Sequence, residues 1–269
     1  MPQYLFNKRG TVLRWIAERV RNAGELYLFL DYDGTLVRIR KTPPQAVLAP
    51  RARTFLRRLN SLGGTTFGVI TGRSLRDIRT LLRLSDVVLA ANHGFEILIG
   101  SRRWTHPEVR RLRPRFAALT TELRRRLRRI PRLLVENKGS TLSVHYRNVP
   151  VSRIAAVREI IRSVTHPYRR SIAVTAGKKV VEIRPRVPWG KGHALRRILK
   201  SQGKSRDRLV IYCGDDVTDE DAFRLLPHDA VTVRVGKSRG TEARFYVRNV
   251  PEIYRFLALV ARVRMGADR

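Results

Sequence analysis

The chain has 269 residues, 43% of them apolar, with 56 basic against 22 acidic side chains and a formal net charge of +34. It is long enough to bury a real core as one large α/β domain or a core with a smaller partner. No stretch reaches the roughly 18 uninterrupted apolar residues a membrane helix needs, the basic start is not followed by the apolar core of a signal peptide, and the single cysteine, Cys213, excludes an internal disulfide. A cytoplasmic, membrane-independent monomer is the expectation. The positive charge is carried by 47 arginines and 9 lysines spread along the chain. The cluster Arg124–Arg129 falls on an amphipathic helical pattern, so a solvated helix face accounts for it more simply than nucleic acid does. With no nucleic-acid motif present, no specific nucleic-acid partner is expected, and attraction of anionic substrates is.

In chain order, Val12, Leu13, Trp15, Ile16 and Val20 recur at helical spacing and predict a helix over 11–22. Leu26–Leu30 is a short apolar run, the pattern of a strand buried on both faces, and it stops at Asp31-Tyr-Asp33-Gly34-Thr. A proline-containing loop over 38–49 leads to a helix starting at Pro50 and closed by Gly63-Gly64. The strand at 66–70 ends in Thr71-Gly72-Arg73-Ser74 and opens a helix through Leu82. The next strand, 87–91, ends in Asn92-His93-Gly94. A basic helix is predicted over 114–130, then hairpins at 133–147 and around Gly177, with a helix at 151–163 between them. These form an α+β insertion over 103–186. Beyond it, Lys191 starts a helix, and the strand 208–213 ends in Gly214-Asp215-Asp216-Val-Thr-Asp219. A helix from Ala222, a strand at 230–235 and a helix at 250–263 complete the chain.

Ligands of parallel α/β sheets bind beyond the carboxyl ends of the strands. Four strand ends here carry Asp31 and Asp33, Thr71, Asn92 and His93, and Asp215, Asp216 and Asp219, with Lys191 at a helix start nearby. Carboxylates brought this close repel unless a proton or a cation intervenes. A hard divalent cation taking oxygen ligands from Asp31 and Asp215 answers that repulsion. A phosphate beside it would meet Thr71, Lys191 and backbone N–H groups, which is most of what phosphoryl transfer needs.

The set Asp31-Tyr-Asp33-Gly-Thr-Leu, Thr71-Gly-Arg, Lys191-Gly and Gly214-Asp-Asp-x-Thr-Asp219 resembles the haloacid dehalogenase superfamily of phosphohydrolases over essentially the whole chain. Within it, Ala-Asn-His-Gly, Val-Glu-Asn-Lys-Gly, Val-His-Tyr-Arg and Val-Val-Glu-Ile-Arg-Pro are similar to the trehalose-6-phosphate phosphatase family. The resemblance implies a Rossmann-like parallel-sheet core, 1–102 with 187–269, and an α+β cap, 103–186, that selects the sugar. It implies Asp31 as nucleophile and Asp33 as general acid and base, with Thr71 and Lys191 completing the catalytic set. The metal, Mg²⁺ or alternatively Mn²⁺, would take Asp31, the Asp33 carbonyl and Asp215, with Asp216 and Asp219 in support. Arg73, Asn92, His93, Gly94, Glu136, Lys138, Arg147 and Glu182 would meet the substrate, a small sugar phosphate. The plainer account of Glu136 and Lys138 is a cross-strand ion pair. Alternatives are another sugar phosphate or a glycosyl-glycerol phosphate as substrate, a phosphomutase, or a basic nucleic-acid-binding protein on the same scaffold.

Overall fold

The computed structural model describes residues 1–266 apart from 41, 178, 204 and 206. Position 41 of the 38–49 loop and position 178 in the turn of the second hairpin therefore lie outside the described residues. The chain forms two compact units, Met1–Trp104 with Trp189–Arg269, and Thr105–Pro188.

The first unit is built on a nine-stranded sheet ordered β1-β13-β12-β11-β2-β3-β4-β5-β6. Its strands are β1 Gln3–Tyr4, β2 Glu25–Leu30, β3 Thr65–Ile70, β4 Val88–Ala91, β5 Glu96–Ile99, β6 Arg102–Thr105, β11 Arg208–Gly214, β12 Val231–Val235 and β13 Phe245–Val247. From β1 to β4 all pairings are parallel, and β5 turns back antiparallel onto β4. β2 shows why the apolar run is continuous. Leu26, Leu28 and Leu30 pack on one face with α1 (Thr11–Asn22), α2 (Pro50–Asn60), α3 (Leu75–Leu82) and α8 (Val250–Arg264). Tyr27 and Phe29 pack on the other face with α6 (Lys191–Ser201) and α7 (Glu220–Leu225). Each buried leucine contributes roughly 1.5–3 kcal/mol of transfer free energy. α3 is capped by Ser74, whose hydroxyl accepts from the Asp77 N–H at 3.1 Å, worth about 1 kcal/mol.

The second unit holds α4 (Pro107–Leu127), α5 (Val151–Thr165) and an antiparallel sheet ordered β7-β8-β10-β9. Its strands are β7 Leu134–Asn137, β8 Leu142–His145, β9 Ile172–Gly177 and β10 Val180–Pro185. Val135, Leu142, Val144, Val181 and Ile183 alternate onto one face, where Leu112, Phe116, Leu119 and Leu123 of α4 and Val157 and Ile161 of α5 cover them. The other face takes Glu136, Ser143 and Glu182, which stand in one row across the register.

Three expectations are corrected. The basic helix starts at Pro107, not at Pro114: His106 caps it through its ring nitrogen, and Pro114 sits exposed inside it, where solvent can satisfy the carbonyl it leaves unpaired. The short strands β1, β5, β6 and β13 have no readable signal in the sequence, because runs of two to four residues carry too little alternation to register. The last strand-proximal helix begins at Glu220, two residues before the expected Ala222. No helix among the described residues is long and apolar enough to cross a membrane.

Candidate active site

Strand register creates the site. Leu30 of β2 lies level with Cys213 of β11 and Val69 of β3, and Ile70 lies level with Ala90 of β4. The residues that follow therefore emerge along one edge: Asp31, whose N–H donates to the Cys213 carbonyl at 2.8 Å; Thr71, whose N–H donates to Ala90 at 2.8 Å; then Asn92 and Asp215.

Asp31, Asp215 and Asp219 each place a carboxylate oxygen within 4.8 Å of the others. Lys191, the first residue of α6, donates to Asp31 Oδ1 and to Asp219 Oδ1, both at 2.7 Å. Both carboxylates and the ammonium are buried. Asp219 also accepts from the Tyr212 hydroxyl and, through Oδ2, from the N–H groups of Asp215 and Asp216 at 3.0 Å each. Asp216 turns its own side chain onto the Val217 N–H at 2.7 Å and caps the short helical turn 217–219. Asp219 is thus the hub that fixes Lys191 and the acidic loop, a larger part than sequence assigned to it. Tyr212 has no signal in the sequence beyond its place near the end of a buried strand.

The electrostatics follow from three carboxylates sharing one ammonium. Burial pushes the Asp31 carboxyl well above the ordinary carboxylate value, Lys191 opposes this, and Asp219 and Asp215 add to it. Burial alone would discharge Lys191, but Asp219 and Asp31 outweigh it and hold the ammonium charged. Burial also raises the Cys213 thiol, which leaves it neutral beside the site. The surplus negative charge and the all-oxygen donor set fit a hard divalent cation.

Gly34 closes the loop. Its φ is +91°, and a Cβ there would lie 2.1 Å from Asp215 Oδ2. Gly34→Ala should therefore lose more than about 1 kcal/mol of stability and displace Asp215. Urea unfolding with and without a divalent cation checks this: wild-type stabilisation by the cation in the variant would refute the displacement.

Around this centre, Thr71 is buried and its hydroxyl accepts from the Arg73 N–H at 3.2 Å. Arg73 sends Nε and Nη2 to the two oxygens of Asp33 and Nη1 to Asp77. Asn92 is fully buried and donates to Glu96 Oε1 at 2.7 Å, with Arg103 on the other oxygen of Glu96. Asn92, His93 and Gly94 all have positive φ, and a Cβ on Gly72 would run into the His93 ring at 2.6 Å. The Gly94 carbonyl accepts from the Trp189 indole at 2.9 Å.

In the second unit, Glu136 pairs with His145 at 2.9 Å and Lys138 with Glu182 at 3.5 Å, while Ser143 donates to Glu182 at 2.8 Å. The Glu136 contact is a cross-strand one, because the register sets His145 diagonally across from Glu136. Glu182 Oε2 is buried without a partner among the described residues. Arg147 lies two residues past the end of β8, in the turn that follows it.

The family described as trehalose-phosphatase matches residues 29–250, which takes in every site residue named above. The chain belongs to the trehalose-phosphatase family. Its relatives include trehalose-phosphate phosphatase B of Arabidopsis thaliana, 32% identical over 87% of this chain, and the trehalose-phosphate phosphatase of Mycobacterium tuberculosis, 33% identical over 87% of it. The chain spans 65% and 61% of the length of those two proteins. The crystal structure of a trehalose-6-phosphate phosphatase related protein matches with a TM-score of 0.78 and 26% identity, covering 90% of this chain and 99% of that one. The C-terminal domain of C. albicans trehalose-6-phosphate phosphatase matches with a TM-score of 0.77 at 21% identity, over 97% of this chain and 98% of that one, and so shares the fold.

Proposed function

We propose that the chain is a metal-dependent phosphoric monoester hydrolase that cleaves trehalose 6-phosphate to trehalose and phosphate. The observation that carries this reading is the meeting of Asp31, Asp215 and Asp219 with Lys191 at one sheet edge, in a chain of the trehalose-phosphatase family. An Asp31 oxygen attacks phosphorus. As the bond from phosphorus to the sugar oxygen breaks, its electron pair goes to that oxygen, which takes a proton from Asp33. Water then attacks the aspartyl-phosphate, Asp33 accepts its proton, and the electron pair of the Asp31–phosphorus bond returns to Asp31. Lys191 and the Thr71 hydroxyl neutralise and orient the phosphoryl oxygens.

The residues that would hold the metal are Asp31, the Asp33 carbonyl and Asp215, with Asp219 and Asp216 fixing the loop. Bound there, Mg²⁺, or Mn²⁺ in its place, would offset the surplus carboxylate charge and that of the phosphoryl group. We assign the sugar to the polar face of the second unit. Glu136, Lys138, Arg147 and Glu182, with Ser143 and His145 among them, offer charged donors and acceptors suited to a disaccharide rich in hydroxyls. The buried, unpartnered Glu182 Oε2 supports a hydrogen bond completed by substrate. His93 and Asn92 belong to the first unit's share. A cytoplasmic setting accords with these substrates.

Phosphate release from trehalose 6-phosphate, glucose 6-phosphate and glycerol phosphates, each with and without EDTA, tests the reading. The expected result is strong preference for the disaccharide and loss of activity with EDTA. Equal turnover of glucose 6-phosphate would defeat the sugar assignment, and turnover indifferent to EDTA would defeat the metal.

A further inference from the structure

We infer that Arg73 is the positioning residue for Asp33 and makes no contact of its own with phosphate or sugar. Its guanidinium grips both oxygens of Asp33, Nε to Oδ2 at 2.6 Å and Nη2 to Oδ1 at 2.8 Å, and reaches Asp77 Oδ2 with Nη1 at 2.7 Å. All three guanidinium nitrogens are therefore engaged by carboxylates. With Asp33 and Asp77 both on its guanidinium, Arg73 is not a spare cation awaiting an anion.

The placement is built from inside the core. The Arg73 side chain is 7% exposed, against 38% for Asp33 and 39% for Asp77. Its Cζ lies 5.2 Å from the centroid of the buried Tyr32 ring, the residue between the two catalytic aspartates. Its backbone is held as well, the N–H by the Thr71 hydroxyl and the carbonyl by the Asn92 N–H at 2.7 Å. Asp77 is itself fixed in the first turn of α3, where its N–H meets the Ser74 cap. A planar fork bonded to both oxygens of a carboxylate sets its plane as well as its position. A proton donor needs that plane, because the acidic hydrogen must point at the departing oxygen.

The inference rests on Asp33 as general acid, and one experiment separates the two. A sugar phosphate expels a poor alkoxide leaving group that needs a proton, whereas p-nitrophenyl phosphate expels a phenolate that needs little help. Arg73→Gln should lower kcat on trehalose 6-phosphate by roughly 10–100-fold, the cost of a misplaced reacting group, with KM changed less than about threefold and p-nitrophenyl phosphate turnover changed much less. Added to Asp33→Asn, it should cause little further loss. Asp77→Asn should show a weaker effect of the same selectivity, and Arg73→Lys, which lacks the fork, should not rescue.

A raised KM with kcat intact would overturn the inference in favour of substrate contact. Equal losses on both substrates would overturn it in favour of a general structural role, and so would additive losses in the double variant. If Asp33→Asn itself shows no dependence on the leaving group, it is the reading of Asp33 that fails. If Asp33→Asn shows that dependence and Arg73→Gln does not, only the inference fails.

Discussion

Asp31→Asn is expected to abolish phosphate release while leaving the fold intact. The amide keeps the size of the carboxylate but removes the attacking anion, and losing the nucleophile of a covalent mechanism costs on the order of 10⁴–10⁶-fold in turnover. Stability should move the other way. Asp31 is one of three carboxylates around a single ammonium, and its burial and its neighbours raise its carboxyl well above the ordinary value. A carboxyl raised on folding binds its proton more tightly in the folded state. Stability is then lost as pH climbs from the unfolded value through the raised folded one. Without metal at neutral pH, the variant should unfold at or above the wild-type temperature, since Lys191 keeps its bond to Asp219. Thermal unfolding in EDTA beside a phosphate-release assay measures both. An Asp31→Asn protein that retained turnover would end the covalent mechanism.

Removing Lys191 should be the most damaging change to the fold of the site. Its side chain is 3% exposed, and its ammonium bridges two carboxylates that are themselves buried. Lys191→Met keeps the length of the stem but leaves Asp31 and Asp219 facing each other without their counter-ion. Breaking a buried ion network by deleting one partner costs roughly 3–5 kcal/mol, and losing a preorganised cation costs on the order of 10²–10³-fold in turnover. A divalent cation should recover part of the stability by binding the folded state preferentially, and little of the turnover. Urea denaturation with and without Mg²⁺, combined with kinetics, tests this. Wild-type stability in EDTA would show that Lys191 does not offset the acidic cluster. Arg73→Gln, by contrast, removes a partner from carboxylates that are more than a third exposed, so its effect should be felt mainly in turnover.

Sequence alone carried the helices and strands of the rim, because a buried strand is a dense apolar run and the residues just beyond it are polar. Leu26–Leu30 before Asp31, and Val210–Cys213 before Asp215, are readable for that reason, as are Lys191 at a helix start and the polar alternation of Glu136, Ser143 and Glu182. What a sequence does not carry is partnership across tens or hundreds of positions. Arg73 and Asp33 are 40 residues apart and Lys191 and Asp31 are 160 apart. Which side chains pair is decided by strand order and register, and those depend on packing summed over the whole sheet. Only the tertiary structure could make Asp219 the hub and enlist Tyr212 from a strand that reads as plain core. Only it could bring His145 to Glu136 and Glu182 to Lys138, and set the Arg73 guanidinium on both oxygens of Asp33. Residue types and local periodicity dictated what chemistry was present; distance through space, set by long-range burial, decided which groups act on one another.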